Sequence, residues 1–213
     1  MTSSFSHADI IYNEMDFSDL KEALEQAGRR LHFERGITLQ PRPDEILMIM
    51  EGSMLVSDKE EDGLALGHTH RYMPVGLMER YYPGMKLYYR TESKVTAVQL
   101  TLEEFDTLFL RQTTYLDAFA RIMSYLSARL TYVYFERNND SGYATIREML
   151  YRYQFKAEEN TLHGEGIAAF ILRRTRLSRS YVFQILAGLK AGGYITVRNG
   201  RLVSINRDIP ERY

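Results

Sequence analysis

Two alternating runs, Tyr194-Ile195-Thr196-Val197-Arg198 and Arg201-Leu202-Val203-Ser204-Ile205, are joined by Asn199-Gly200, and this junction constrains the chain more than any other segment. A two-residue hairpin of the favoured twist needs positive φ at both central residues, which Asn and Gly adopt at low cost, so the segment predicts a tight β-hairpin. Three helical patterns precede it. Tyr143–Lys156 carries Ile146, Met149, Leu150 and Tyr153 at helical spacing, and Ile167–Arg174 carries Ile167, Phe170 and Ile171. Arg176-Leu177 forms a turn, Ser178 is placed to cap the next helix, and Val182, Ile185, Leu186 and Leu189 form its buried stripe before Gly192-Gly193 ends it. Helix, helix, turn, helix and hairpin in that order describe a winged helix-turn-helix, whose second motif helix, 178–190, is expected to enter a DNA major groove.

The charges fall where such a module needs them. Ser141–Tyr213 holds 12 of the chain's 27 Lys and Arg but only 6 of its 28 Asp and Glu, a local net charge of +6 inside a chain of −1. Phosphate neutralisation supplies most non-specific affinity for DNA, and clustered arginines serve it. Arg173, Arg174, Arg176 and Arg179 surround the turn, and Arg198 and Arg201 flank the wing tip. On the helix itself Ser178, Arg179, Ser180, Phe183 and Gln184 complete the expected DNA-binding set. Arg179 suits guanine and Gln184 suits adenine. Phe183 is read two ways, as a contact to a thymine methyl or as a packed side chain.

The remaining composition excludes several function classes. The chain has no cysteine, which removes disulfides, thiol redox switches, Cys-ligated clusters and Cys-type zinc sites. No apolar run approaches the roughly 18 residues of a membrane helix, and Met1–Asp9 lacks a basic stretch followed by an apolar core. A cytoplasmic location without membrane contact is therefore expected. No Gly-x-Ser-x-Gly elbow, Walker loop or Gly-x-Gly-x-x-Gly occurs, so the expectation is not an enzyme, and no cofactor is called for.

Upstream, about Gly28–Leu102 reads as β-structure. Ile46–Met50, Met54–Val56 and Val95–Leu100 are separated by turn residues at Pro41–Asp44, Glu51-Gly52, Asp62-Gly63 and Pro83-Gly84, the pattern of a small roll. Phe17, Leu20 and Leu24 give a short helix before it, ending at Gly28. After the roll a helix reaches Arg137 from either Leu102 or Leu116. Within it Leu116, Phe119, Met123, Leu126, Leu130 and Val133 recur at alternating intervals of three and four, a coiled-coil seam that predicts a homodimer. Tyr115, Ile122, Tyr134 and Phe135 add a second apolar flank, which suits a helix with one face on its own roll. Asn138-Asn139-Asp140-Ser141-Gly142 breaks it.

Taken together, β-roll, seam helix and winged module make the chain resemble the Crp/Fnr regulators over nearly its whole length. In that family's reading helix the pattern is Ser-Arg-Glu-Thr-Val-x-Arg-x-Leu. Here Ser178, Arg179, Val182 and Leu186 match, while Ser180 and Gln184 replace the usual Glu and second Arg, so the resemblance implies DNA binding with a different half-site. Arg176 stands where the motif's turn Gly is usual. Phe33-Glu34-Arg35-Gly36 and Asp44–Ser53 resemble the opening strands of a cyclic-nucleotide-binding roll. In nucleotide-binding members a Gly-Glu pair and a following Arg hold ribose and phosphate; here Gly76 remains, Leu77 replaces the acid, and no Arg occupies the phosphate position in 75–89. A buried phosphate without a charge partner is costly, so no response to cyclic nucleotides is expected.

The expected fold is thus α+β: a cyclic-nucleotide-binding-like roll with a short N-terminal helix over 1–110, a dimerisation helix over 111–138, and a winged helix-turn-helix over 139–213. Its expected partners are double-stranded DNA, a second copy of the chain, and RNA polymerase as a further candidate. His68-Thr69-His70 is the one metal-like pair, since residues i and i+2 share a strand face; His7, His32 and His163 have no ligand-like spacing. The alternative reading is a metal- or small-molecule-binding roll whose winged domain contacts a protein.

Overall fold

The computed structural model describes residues 4–61, 63–137, 141–158, 162 and 164–211. The turn at Asp62, the helix-breaking residues Asn138-Asn139-Asp140 and the ring of His163 lie outside them. The chain separates into two compact units, His7–Leu130 and a second built on Thr131–Tyr213. Among the described residues no helix is long and apolar enough to cross a membrane.

The first unit begins with α1 (Ser4–Glu14) and α2 (Ser18–Ala27), followed by β1 (Arg29–Phe33), β2 (Thr38–Leu39), β3 (Glu45–Glu51), β4 (Met54–Ser57), β5 (Ala65–His68) and β6 (Pro74–Val75). The short helix α3 (Leu77–Tyr81) interrupts the strands before β7 (Tyr88–Thr91) and β8 (Val95–Thr101), and α4 (Leu102–Phe109) and α5 (Leu116–Arg137) close the series. Two four-stranded antiparallel sheets result, in the orders β1-β8-β3-β6 and β2-β7-β4-β5. The predicted roll is present.

Side-chain alternation explains why Ile46-Leu47-Met48-Ile49-Met50 is continuously apolar. Leu47 and Ile49 point between the sheets, where they join Met54, Val56, Val75, Tyr89, Val95 and Ala97. Ile46, Met48 and Met50 point the other way, into a layer with Leu20, Leu24, Val98, Leu100, Phe105, Phe109 and Ile122. A strand covered on both faces has no polar side to show. Thr101 starts α4 with a capping box: its side chain accepts from the Glu104 backbone at 3.2 Å, and the Glu104 carboxylate accepts from the Thr101 backbone at 2.7 Å. The open choice of helix start resolves as two helices, because α4 ends near Leu110 and α5 begins at Leu116.

Gly28 ends α2 as expected, but not through a left-handed turn: its φ is −121°. A Cβ there would lie 2.5 Å from the Gln99 carbonyl oxygen and from Val98 Cγ1, so glycine is required by the close approach of β8. The helices α1 and α3 were not anticipated.

In the second unit α6 (Gly142–Glu158), α7 (Ile167–Arg174) and α8 (Arg179–Ala191) precede the hairpin of β9 (Ile195–Arg198) and β10 (Arg201–Ile205). One core joins them: Ile146, Met149, Leu150 and Tyr153 from α6, Ile167, Phe170 and Ile171 from α7, Val182, Ile185, Leu186 and Leu189 from α8, and Ile195 and Leu202 from the hairpin. Asn199 and Gly200 take φ of 49° and 74°, the positive pair the dipeptide predicts.

Candidate nucleic-acid interface

The winged module is built from local signals reinforced by a few buried polar bonds. Ser178 caps α8, its side chain accepting from the Tyr181 backbone at 3.3 Å. Thr175 ends α7 by donating its hydroxyl to the Ile171 carbonyl at 2.9 Å, and the same hydroxyl accepts from the Leu177 backbone at 3.4 Å. These two side chains set the turn between the helices. The wing is fixed from its tip, where the Gly200 carbonyl accepts from the Ile167 backbone at 2.8 Å and satisfies a donor in the first turn of α7.

With its stripe turned inward, α8 leaves Arg179, Ser180, Phe183, Gln184 and Ala187 exposed on one side. Arg176 in the turn and Arg198 and Arg201 at the wing are exposed as well. Among the described residues no carboxylate pairs with Arg176, Arg179, Arg198 or Arg201. The Arg179 guanidinium carbon stands 5.6 Å from the Phe183 ring centroid. No acid occurs anywhere in α8, so this side presents positive charge and hydrogen-bonding groups around one aromatic ring.

Two members of the expected arginine set are placed differently. Arg174 is buried, its side chain 4% exposed, with Nη1 bonded to Glu165 Oε2 at 2.9 Å and its guanidinium carbon 3.8 Å from the Phe170 ring centroid. It holds α7 to the preceding loop and offers no surface to a duplex. Arg173 is partly exposed and bonds the other oxygen of Glu165 at 3.1 Å. Glu165, in the loop before α7, therefore binds both arginines, while its backbone carbonyl accepts from Tyr153 Oη at 2.6 Å. Burial raises the Tyr153 hydroxyl above the usual phenol range, keeping it a donor. A spacing signal for Arg174 existed: it stands four residues after Phe170 and three after Ile171, on the buried stripe of its own helix.

The seam residues divide between two roles. Leu116 and Leu130 are exposed, at 51% and 57%. Phe119, Met123 and Leu126 are partly buried against the roll's helical layer, Phe119 with its ring centroid 5.2 Å from that of Phe109. Val133 is buried, while Tyr134 and Phe135 are exposed. Ile122 and Tyr125 supply the roll-facing side. The exposed side thus runs Leu116, Ala120, Ser127, Leu130 and Tyr134, with Met123 at its edge.

In the roll, Leu77 is buried, and Arg80 is held by Asp106 through two bonds of 2.5 and 2.8 Å. That pairing holds the Asp106 carboxyl below the usual carboxylate range. Tyr89 is buried with its hydroxyl donating to Glu79 at 3.1 Å, and burial followed by the Glu79 charge raises its pKa. β5 ends at His68, so His68 and His70 do not share a strand face. His68 Nε2 lies 2.9 Å from Glu92 Oε2, whereas His70 Nδ1 lies 2.9 Å from the Tyr125 hydroxyl. That hydroxyl donates to Asp9 at 2.7 Å, and Arg129 binds both Asp9 oxygens at 3.0 Å. Among the described residues no three His, Asp or Glu are grouped as metal ligands.

Residues 142–211 match the family model described as winged helix-turn-helix DNA binding. The "Inhibitor of hydrogen peroxide resistance" of Escherichia coli strain K12 is 27% identical to this chain over 212 residues, covering 93% of this chain and 96% of that protein. Among solved structures, the c-di-GMP responsive global regulator CLP of Xanthomonas campestris superposes with a TM-score of 0.67 at 17% identity, covering 89% of this chain and all of that one. A transcriptional regulator described as of the Crp/Fnr family, from Eubacterium rectale, gives 0.62 at 10% identity over 92% and 93% of the two chains. The chain carries the fold of the Crp/Fnr regulators and closes with a winged helix-turn-helix of the DNA-binding kind.

Proposed function

We propose that the chain is a transcription regulator that reads double-stranded DNA as a homodimer. The observation that carries this reading is the exposed side of α8, where Arg179, Ser180, Phe183 and Gln184 stand without an acid in the helix, in a module that also exposes Arg176, Arg198 and Arg201. Arg176, Arg198 and Arg201 serve the phosphates; Arg179 and Gln184 reach base edges. Arg173 is a lesser contact because Glu165 shares its charge, and Arg174 is left out of the contact set because it is buried. Ser178 acts through its cap on α8. Two chains meet along the exposed side of α5, with Leu116 at its start and Leu130 further along as exposed apolar contacts, and Phe119, Met123, Leu126 and Val133 stiffening the helix from its covered side. Twofold symmetry then implies a near-palindromic operator with half-sites about 34 Å apart.

The roll does not take cyclic nucleotides in this reading. Leu77 is apolar where a ribose needs an acid, and the guanidinium of Arg80 is already engaged by Asp106. Calorimetry with cyclic AMP and cyclic GMP is expected to give no binding heat; tight binding of either refutes this part. The DNA-reading part is tested by gel shift with genomic fragments across a salt series. Wild type is expected to bind selected fragments with salt-sensitive affinity, and Arg179→Ala/Gln184→Ala is expected to keep the salt sensitivity and lose the selection. No binding at any salt concentration would overturn it.

A further inference from the structure

Phe183 is 47% exposed on a helix whose other large apolar side chains face inward. It occupies the middle of the exposed side, one turn after Arg179 and next to Gln184. Leaving an aromatic ring half in water forgoes much of the stabilisation that its burial contributes. Arg179 lies beside the ring at 5.6 Å, a distance at which the ring's negative face attracts a guanidinium. What would cover the ring must also tolerate Arg176, Arg179 and the wing arginines, which suits a polyanion that carries apolar groups along its groove. In a DNA major groove the apolar group offered is the C5 methyl of thymine.

Resting on the reading of α8 as the DNA-reading helix, we infer that Phe183 is a specificity-determining residue whose ring packs on a thymine C5 methyl and steadies Arg179 for the neighbouring base. The half-site is then defined partly by an apolar contact, flanked by the polar contacts of Arg179 and Gln184. Removing a buried methyl group weakens association by about fourfold, taking about 0.8 kcal/mol per buried carbon.

The test uses the full-length protein and the best duplex selected by wild type from a random library. Each thymine of the half-site is replaced singly by deoxyuridine, which removes only the methyl. Wild type is expected to lose about fourfold in affinity at one or two positions and to be indifferent elsewhere. Phe183→Ala is expected to bind the parent duplex more weakly and to show no further loss with deoxyuridine, while Phe183→Leu retains part of the sensitivity. Melting of Phe183→Ala near the wild-type temperature establishes that the module is folded. Wild type insensitive to every deoxyuridine, or Phe183→Ala as sensitive as wild type, overturns the inference and leaves DNA reading intact. Failure of the selection to enrich any sequence overturns both.

Discussion

Replacing Glu165 by Ala removes a carboxylate that stands 2.9 Å from the guanidinium of Arg174 in the interior of the winged module. Arg174 is 4% exposed and Glu165 is 12% exposed, so the pair is shielded from water. Breaking a buried pair by removing one partner costs about 3–5 kcal/mol, most of it the desolvation of the charge left behind. The bond from Arg173 adds little because that side chain is 39% exposed and its attraction is screened. A value near the lower limit, about 3 kcal/mol, is expected because Arg174 keeps its contact with Phe170 and its bond to the Phe170 carbonyl. Hydrogen exchange on the intact chain reads this locally: amides of α7 and the wing should open on the order of a hundredfold more readily in Glu165→Ala, with those of the roll sheets unchanged. Arg174→Met in the same background removes the buried charge and should restore most of the protection. Exchange accelerated less than about fivefold, or no recovery in the double variant, would refute the view of Glu165 as the ionic clasp of the module.

Other outcomes follow from the same geometry. Asp106, whose pKa is depressed by Arg80, contributes stability that is present above its unfolded value and is lost as pH falls through its lower folded value. Asp106→Asn should therefore destabilise the roll near about pH 7 and converge on wild type in acid melts once the pH falls below the depressed folded value of Asp106. Leu130→Glu places a charge on the exposed side of α5 and should lower the sedimentation-measured self-association by at least about tenfold without lowering the melting temperature of the roll; an unchanged sedimentation profile would count against the dimer. Arg198→Ala should reduce the slope of log affinity against log salt by about one while preserving sequence preference, and an unchanged slope would mean the wing does not meet phosphate.

The second unit was legible almost residue by residue because its signals are local. An Asn-Gly turn, a serine cap and three apolar stripes each act within a few residues, and together they specify α7, α8 and the hairpin. The roll was legible through turns and short apolar runs, and the covered run in β3 followed from its two buried faces. The helix α1 is hard to read because Ile10 and Ile11 are exposed next to buried Tyr12, which blurs the Ala8–Tyr12 spacing on its covered side. The part of the site that escaped is electrostatic. Proximity in sequence grouped Arg174 with Arg173, Arg176 and Arg179, but helical rotation sends it inward, and its partner Glu165 sits in a polar loop with no periodic signature. Likewise the Asp9–Tyr125–His70 chain joins residues more than fifty positions apart, which no local pattern reports.

The bond from Ile167 to the Gly200 carbonyl ties the tip of the wing to the first turn of α7. A hairpin hanging free would have to be immobilised when it met a duplex, and every residue so ordered would subtract from affinity. Anchored in this way, the span between the wing arginines and α8 becomes a fixed gauge, set during folding and carried unchanged to each encounter. In the proposed complex with DNA, a gauge of that kind would penalise grooves of the wrong width, and the module would then discriminate among sequences by the shape of the duplex at base pairs that no side chain touches.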